Sequence, residues 1–138
     1  MTLTRDPLRV DELIAATAGP DHGGIAVFIG TTRREADRTE VVALEYEAYE
    51  ELAITELEAV AAEAEALGAR VAIAHRLGRV DVGEASIAIV AAAGHRPAAF
   101  AACRLAIDEA KRRVPIWKRA VHADGTAVWK DGLSAPVS

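Results

Sequence analysis

Three basic clusters in the chain have the residue types and positions to hold an anion. The first lies in "AAAGHRPAAF", where an apolar run ends, a glycine lets the backbone turn and a helix begins at Pro97. The first N–H groups of a helix lack partners inside it and carry partial positive charge. An anion placed there is stabilised by backbone alone. His95 and Arg96 add side-chain donors, and arginine can grip a phosphate through two parallel hydrogen bonds. The plainer alternative is a βα turn with two exposed polar residues. The second cluster is "VPIWKRA". In a strand, Ile116, Lys118 and Ala120 share one face, and Trp117 and Arg119 the other. Lys118 then projects among small and apolar neighbours, where a partly desolvated lysine can act as base or nucleophile. A simply solvated lysine is the alternative. Lys130 follows Trp129 on the second arm of a hairpin, so opposed strands bring both lysines to one rim. The third cluster is "IGTTRRE", in which Arg33 and Arg34 follow a strand end. Alone they read as solvated loop arginines. Together, three basic points at strand ends outline a pocket.

The other charged and reactive residues read as structural. Arg104 with Asp108, and Glu109 with Arg113, are four apart, the spacing of pairs that solvate a helix face. Arg112, near the helix end and close in sequence to Lys118, stays with Arg33, His95 and Arg96 as a candidate for the anion. Cys103 falls on an apolar helical stripe, where thiols are usually inert. His22 and His75 lack metal-ligand partners at useful spacing. There is neither a P-loop nor a dinucleotide fingerprint, so no metal and no cofactor is expected.

This positive charge is gathered in a chain of net charge −5 and pI near 5.4. An acidic protein is poorly suited to polyanions, and 4% aromatic residues offer little surface for stacking bases. Nucleic acid is therefore set aside, and a local basic patch points to a small anionic ligand. The 138 residues suit one domain, 1–138, with a core of its own. The tail from about residue 132, "GLSAPVS", reads as loosely ordered. A lone cysteine permits no internal disulfide and fits a reducing cytoplasm. No signal peptide and no run of membrane-spanning length is present, so no membrane partner is expected.

Periodicity supplies the elements that must carry the clusters. "RVDELIAATAG" predicts a short helix capped by Asp11, and "GIAVFIG" a strand buried on both faces. "VVALEYEAY" alternates, with Val42, Leu44, Tyr46 and Ala48 on one side. "EELAITELEAVAAEAEALG" predicts a helix with a stripe of Leu52, Leu57, Val60, Ala64 and Leu67, ended by Gly68. "RVAIAHRLG" and "ASIAIVAAA" are strands. A second long helix runs from Pro97 to Val114, burying Phe100, Cys103, Ile107 and Ala110 and stopped by Pro115. A hairpin follows, turning at Asp124-Gly125. The order α-β-β-α-β-β-α-β-β indicates an α+β fold, helices packed on a mixed, largely antiparallel sheet.

The pieces "VFIGTTR", "LEYEAY", "AHRLG", "GHRPAAF" and "VPIWKRA", in this order, resemble the catalytic (large) subunit of molybdopterin synthase, the MoaE family. The resemblance runs from about Gly24 to Lys130. It implies an α/β hammerhead-type fold and a sulfurtransferase of molybdenum cofactor biosynthesis. Such an enzyme inserts two sulfurs into cyclic pyranopterin monophosphate (precursor Z) as the dithiolene of molybdopterin. Sulfur arrives as a thiocarboxylate on the C-terminal glycine of a small ubiquitin-like carrier subunit. Two large subunits form a central homodimer with a carrier at each end, a heterotetramer. The resemblance makes Arg33, His95 and Arg96 the substrate-phosphate site, with Arg112 a further candidate, and lets the pocket draw on both protomers. Lys118 matches the essential lysine of the family, as oxyanion stabiliser, base or nucleophile. Lys130 is the candidate second catalytic lysine near the carrier tail. A non-enzymatic α+β module for a small phosphorylated ligand explains the anion clusters without needing Lys118. A protein that only assembles a complex needs neither Arg33 nor Arg96.

Overall fold

The computed structural model describes residues 1–34 and 40–129. In chain order the elements are β1 (Thr2–Thr4), α1 (Val10–Thr17), β2 (Gly24–Thr31), β3 (Val41–Ala48), α2 (Glu50–Glu65), β4 (Ala69–Arg76), β5 (Gly78–Asp81), β6 (Ala85–Ala93), α3 (Arg96–Arg113), β7 (Ile116–His122) and β8 (Ala127–Trp129). The strands form two four-stranded sheets rather than one. The first has the order β1-β4-β6-β2 and is mixed, because β1 lies parallel to β4 while the other pairs are antiparallel. The second, β5-β3-β7-β8, is antiparallel throughout.

The sheets meet where β4 runs into β5. Leu77 separates the two strands, and Gly78 takes φ +80°, a left-handed conformation that a side chain disfavours. Sequence periodicity ends its strand at Gly78 and misses β5, because nothing local marks a further strand in a second sheet. It also misses β1, whose three residues are a strand only through pairing with Ala74–Arg76.

The first sheet is covered on both faces. α2 and α3 pack on the side that holds Val71, Ile73, Ile87, Ile89 and Ala91, the heart of the core. α1 lies across the other side, near Ala74 and Ala88. This double cover is why Ser86–Ala93 is buried without alternation and reads as an unbroken apolar run. The strand β2 is different. It is an edge strand, and Ile25, Val27 and Ile29 are 45%, 39% and 44% exposed, so the expected burial of both faces is corrected to one.

The helix stripes are also shifted. In α2 the buried positions are Ala53, Leu57, Val60, Ala61 and Ala64, while Leu52 and Leu67 face solvent. In α3 they are Ala99, Ala102, Cys103, Ala106, Ile107 and Ala110, and Phe100 is 65% exposed. Alanine-rich faces let helices approach closely, so the core selects small residues and leaves some large ones outside. α1 begins after Arg9 rather than at an Asp11 cap; Asp11 sits in the first turn, 3.9 Å from the Arg9 guanidinium. Arg113 ties α3 to α2 through Glu56 and Glu63, and also pairs with Glu109 one turn back on its own helix. The β7–β8 hairpin turns at Asp124-Gly125 as the residues require, with Asp124 Oδ1 accepting from the Thr126 amide and hydroxyl.

Candidate functional site

A cavity of about 340 Å³ opens where the two sheets and the C-terminal end of α3 converge. That volume falls in the range that holds small molecules. Each wall follows from the local sequence. β7 starts after Pro115, which ends α3, and its alternation turns Ile116 and Lys118 inward. Opposite Lys118 in register stands Tyr46 of β3. β2 brings Phe28 and Gly30 and delivers Arg33 just beyond its end. α3 adds Lys111, one step of four beyond Ile107 on the helix, where cations also complement the helix dipole. The floor holds His75 of β4 and Ser86 of β6.

The electrostatics are one-sided. Arg33, Lys111 and Lys118 line the cavity, and among the described lining residues there is no Asp or Glu. An acidic chain has thus set three cations around one hollow, which suits an anionic ligand. Lys118 is partly buried, whereas Arg33 and Lys111 lie at the exposed rim. The floor is polar but uncharged. Burial pushes the Tyr46 phenol up, and its hydrogen bond to Ser86 partly offsets this. Ser86 in turn donates to the Gly30 carbonyl at 3.2 Å. Burial holds the His75 imidazole down at about 4; a bond to the Arg76 carbonyl opposes this, and the Lys118 charge reinforces it.

The residues expected from sequence are divided by the fold. Lys118 and Arg33 meet in the cavity. His95 and Arg96 do not. They stand exposed at the start of α3, which rises about 22 Å from Arg96 before Lys111 reaches the cavity. Their place is beside the start of β2, where a Cβ built on Gly24 would lie 3.1 Å from the Arg96 backbone. Arg112 is corrected from the cavity wall to the outer side of α3, where it pairs with Glu109, and Lys111 takes the inward position. Arg34 pairs with Glu40 at 2.7 Å. Lys130 and the tail from about residue 132 lie outside the described residues. Cys103 is buried and its thiol pKa is raised by that burial, in keeping with an inert role. Sequence reasoning missed Lys111, Tyr46, Ser86 and His75 as cavity residues. A histidine inside the apolar run "VAIAHRL" was the available signal.

Known proteins share this architecture. A family model described as MoaE protein matches residues 3–113. The molybdopterin synthase catalytic subunit 1 of Mycobacterium tuberculosis is 43% identical over 129 residues, covering 92% of this chain and 87% of that protein. The molybdopterin synthase catalytic subunit of Bacillus subtilis is 40% identical over 125 residues, covering 89% and 80%. The X-ray structure of molybdopterin synthase from Staphylococcus aureus superposes with a TM-score of 0.87 at 28% identity, over 93% of this chain and 94% of that one. A chain from the complex of subunits 1 and 2 of the Helicobacter pylori molybdopterin-converting factor gives 0.80 at 26% identity, over 99% and 93%. With a family model over residues 3–113, relatives at 40% identity or more over most of both chains and the fold shared, the chain belongs to the MoaE family.

Proposed function

We propose that the chain is the catalytic subunit of a molybdopterin synthase, moving sulfur from the thiocarboxylate of a small carrier subunit onto cyclic pyranopterin monophosphate. The cationic cavity of Arg33, Lys111 and Lys118 in a MoaE-family fold carries this reading. The substrate brings a phosphate and the carrier a thiocarboxylate, both anions, and the rim cations suit them. Lys118, partly buried at the centre, stabilises charge that develops on the acyl oxygen or assists proton transfer as sulfur leaves the carrier. The two-subunit Helicobacter pylori complex supports a partner subunit here. No described helix is long and apolar enough to cross a membrane, which is compatible with a cytoplasmic enzyme.

The geometry also supports a homodimer with shared sites. β2 offers an unpaired sheet edge flanked by Ile25, Val27 and Ile29 and, across the groove to α3, by Phe100. An exposed apolar edge of this kind is a template for pairing. Antiparallel pairing of two β2 strands about a two-fold axis lays the Gly24 end of one against the Thr31 end of the other. Gly24 adjoins Arg96, and Thr31 leads to Arg33. The two-fold therefore brings His95 and Arg96 of one protomer to the partner's cavity, closing a gap that one chain cannot close.

The test is turnover. Purified chain, thiocarboxylated carrier and precursor Z are mixed, and the oxidised fluorescent product of molybdopterin is measured, with Lys118→Ala in parallel. Product from the parent and none from the variant supports the reading. No product from a folded parent with a carrier active elsewhere overturns it in favour of a phosphate-binding module.

A further inference from the structure

One polar side chain of the cavity has no part in the scheme above. His75 is 6% exposed at the end of β4 and lines the cavity floor. Its Nδ1 lies 2.7 Å from the Arg76 carbonyl oxygen. A carbonyl only accepts, so Nδ1 carries the hydrogen, and in the neutral ring Nε2 is a bare acceptor. Tyr46 meets the ring edge-on, with centroids 4.9 Å apart and planes at 71°, which fixes its orientation. Nε2 is not one of the sealed, orphaned polar atoms of the described residues, which include Thr32 Oγ1, Arg76 Nε and Trp117 Nε1. His75 lines the cavity, so a bound ligand is placed to supply a donor to that nitrogen.

We propose that His75 is a specificity-determining residue of this cavity, its Nε2 accepting a hydrogen bond from an N–H or O–H on the ring system of the bound substrate. The proposal rests on the reading of the cavity as the precursor site and deepens it. Arg33 and Lys111 stand at the rim and hold the anionic end of the ligand, Lys118 lies deeper, and His75 at the floor takes a donor-bearing part of the ring system. The ring is suited to this because it stays uncharged. The charged and titratable groups around it are Lys118 from β7, Tyr46 from β3 and its neighbour Arg76, and Arg76 is paired with Glu84 at 3.3 Å. Lys118 disfavours an imidazolium there, as does burial. A neutral acceptor among cations rejects ligands that present a lone pair or a bare C–H at that point, because the buried nitrogen would go unpaired.

Two variants separate this role from packing. His75→Asn keeps a donor for the Arg76 carbonyl and removes the acceptor at the Nε2 position. His75→Gln restores an acceptor near that position. With the complete synthase and precursor Z, the Asn variant should raise KM, and Kd by calorimetry, about tenfold, with kcat held within about twofold. The Gln variant should recover part of the affinity. An Asn variant with unchanged KM and Kd in a parent that turns over overturns the role of His75 alone. So does a loss that falls on kcat only, or one that tracks a fall in thermal stability. A folded parent that neither binds nor converts precursor Z overturns the site reading, and this proposal with it.

Discussion

Mixing two inactive variants should regenerate activity. Lys118→Ala removes a group from the cavity of its own chain, and Arg96→Ala removes one about 22 Å from that cavity along α3. If each site takes Lys118 from one protomer and Arg96 from the other, each variant homodimer carries one lesion in both sites. In a heterodimer the lesions fall together in one site, and the second site is intact. Random exchange makes about half of the dimers heterodimers, so the mixture should recover about one quarter of the parent activity per chain. Loss of an arginine–phosphate contact costs about tenfold or more, so the Arg96→Ala homodimer leaves a background well below that quarter. The assay is molybdopterin formation after exchange in mild denaturant, with heterodimer content followed by native mass spectrometry. A mixture that contains heterodimers yet shows only the mean of the two variants would refute the shared site and the two-fold pairing of β2.

Val27→Asp places a charge on the exposed face of the β2 edge and should yield a folded monomer with little activity; light scattering that still shows a dimer counts against that edge as the interface. His75, with its pKa lowered from 6.5 to about 4, binds its proton more readily unfolded than folded. Its contribution is therefore present above pH 6.5 and is lost as pH falls toward 4, up to about 3 kcal/mol. Urea unfolding of parent and His75→Gln at pH 7 and pH 4.5 checks this, since the variant should lose less stability than the parent. Ile89→Ala empties a fully buried position between the helix layers and should cost about 3 kcal/mol in the same unfolding assay; a cost under about 1 kcal/mol would mean the layers collapse onto the gap.

Much of the fold is legible because its elements are locally consistent. The helix with Pro97 in its first turn, stopping before Pro115, follows from proline chemistry at each end. The Asp124-Gly125 hairpin follows from a turn that needs positive φ, and Gly125 has φ +89°. Lys118 could be picked out because strand alternation sets it between Ile116 and Ala120 on one face, whatever that face packs against. The errors have a common origin. Phe100, Leu52 and the outer face of β2 are apolar, and apolarity alone says buried; which apolar face meets another element is decided only when layers assemble. Arg112 and Lys111 are adjacent cations with the same propensity, and the rotation of α3 against β2 and β6 chose Lys111 for the cavity.

The sequence by itself determined the periodicities, the helix stops, the hairpin and the basic clusters, since these depend on residues a few positions apart. Only the tertiary structure decided that β4 crosses from one sheet to the other at Gly78, and that His75 arrives beside Lys118. It also decided that His95 and Arg96 stand a helix length from the cavity they were expected to join. Those facts depend on contacts between segments 30 or more residues apart, as when Tyr46 pairs with Lys118 across the second sheet. No local rule carries that information, because burial, register and helix rotation are set by the packing of whole layers.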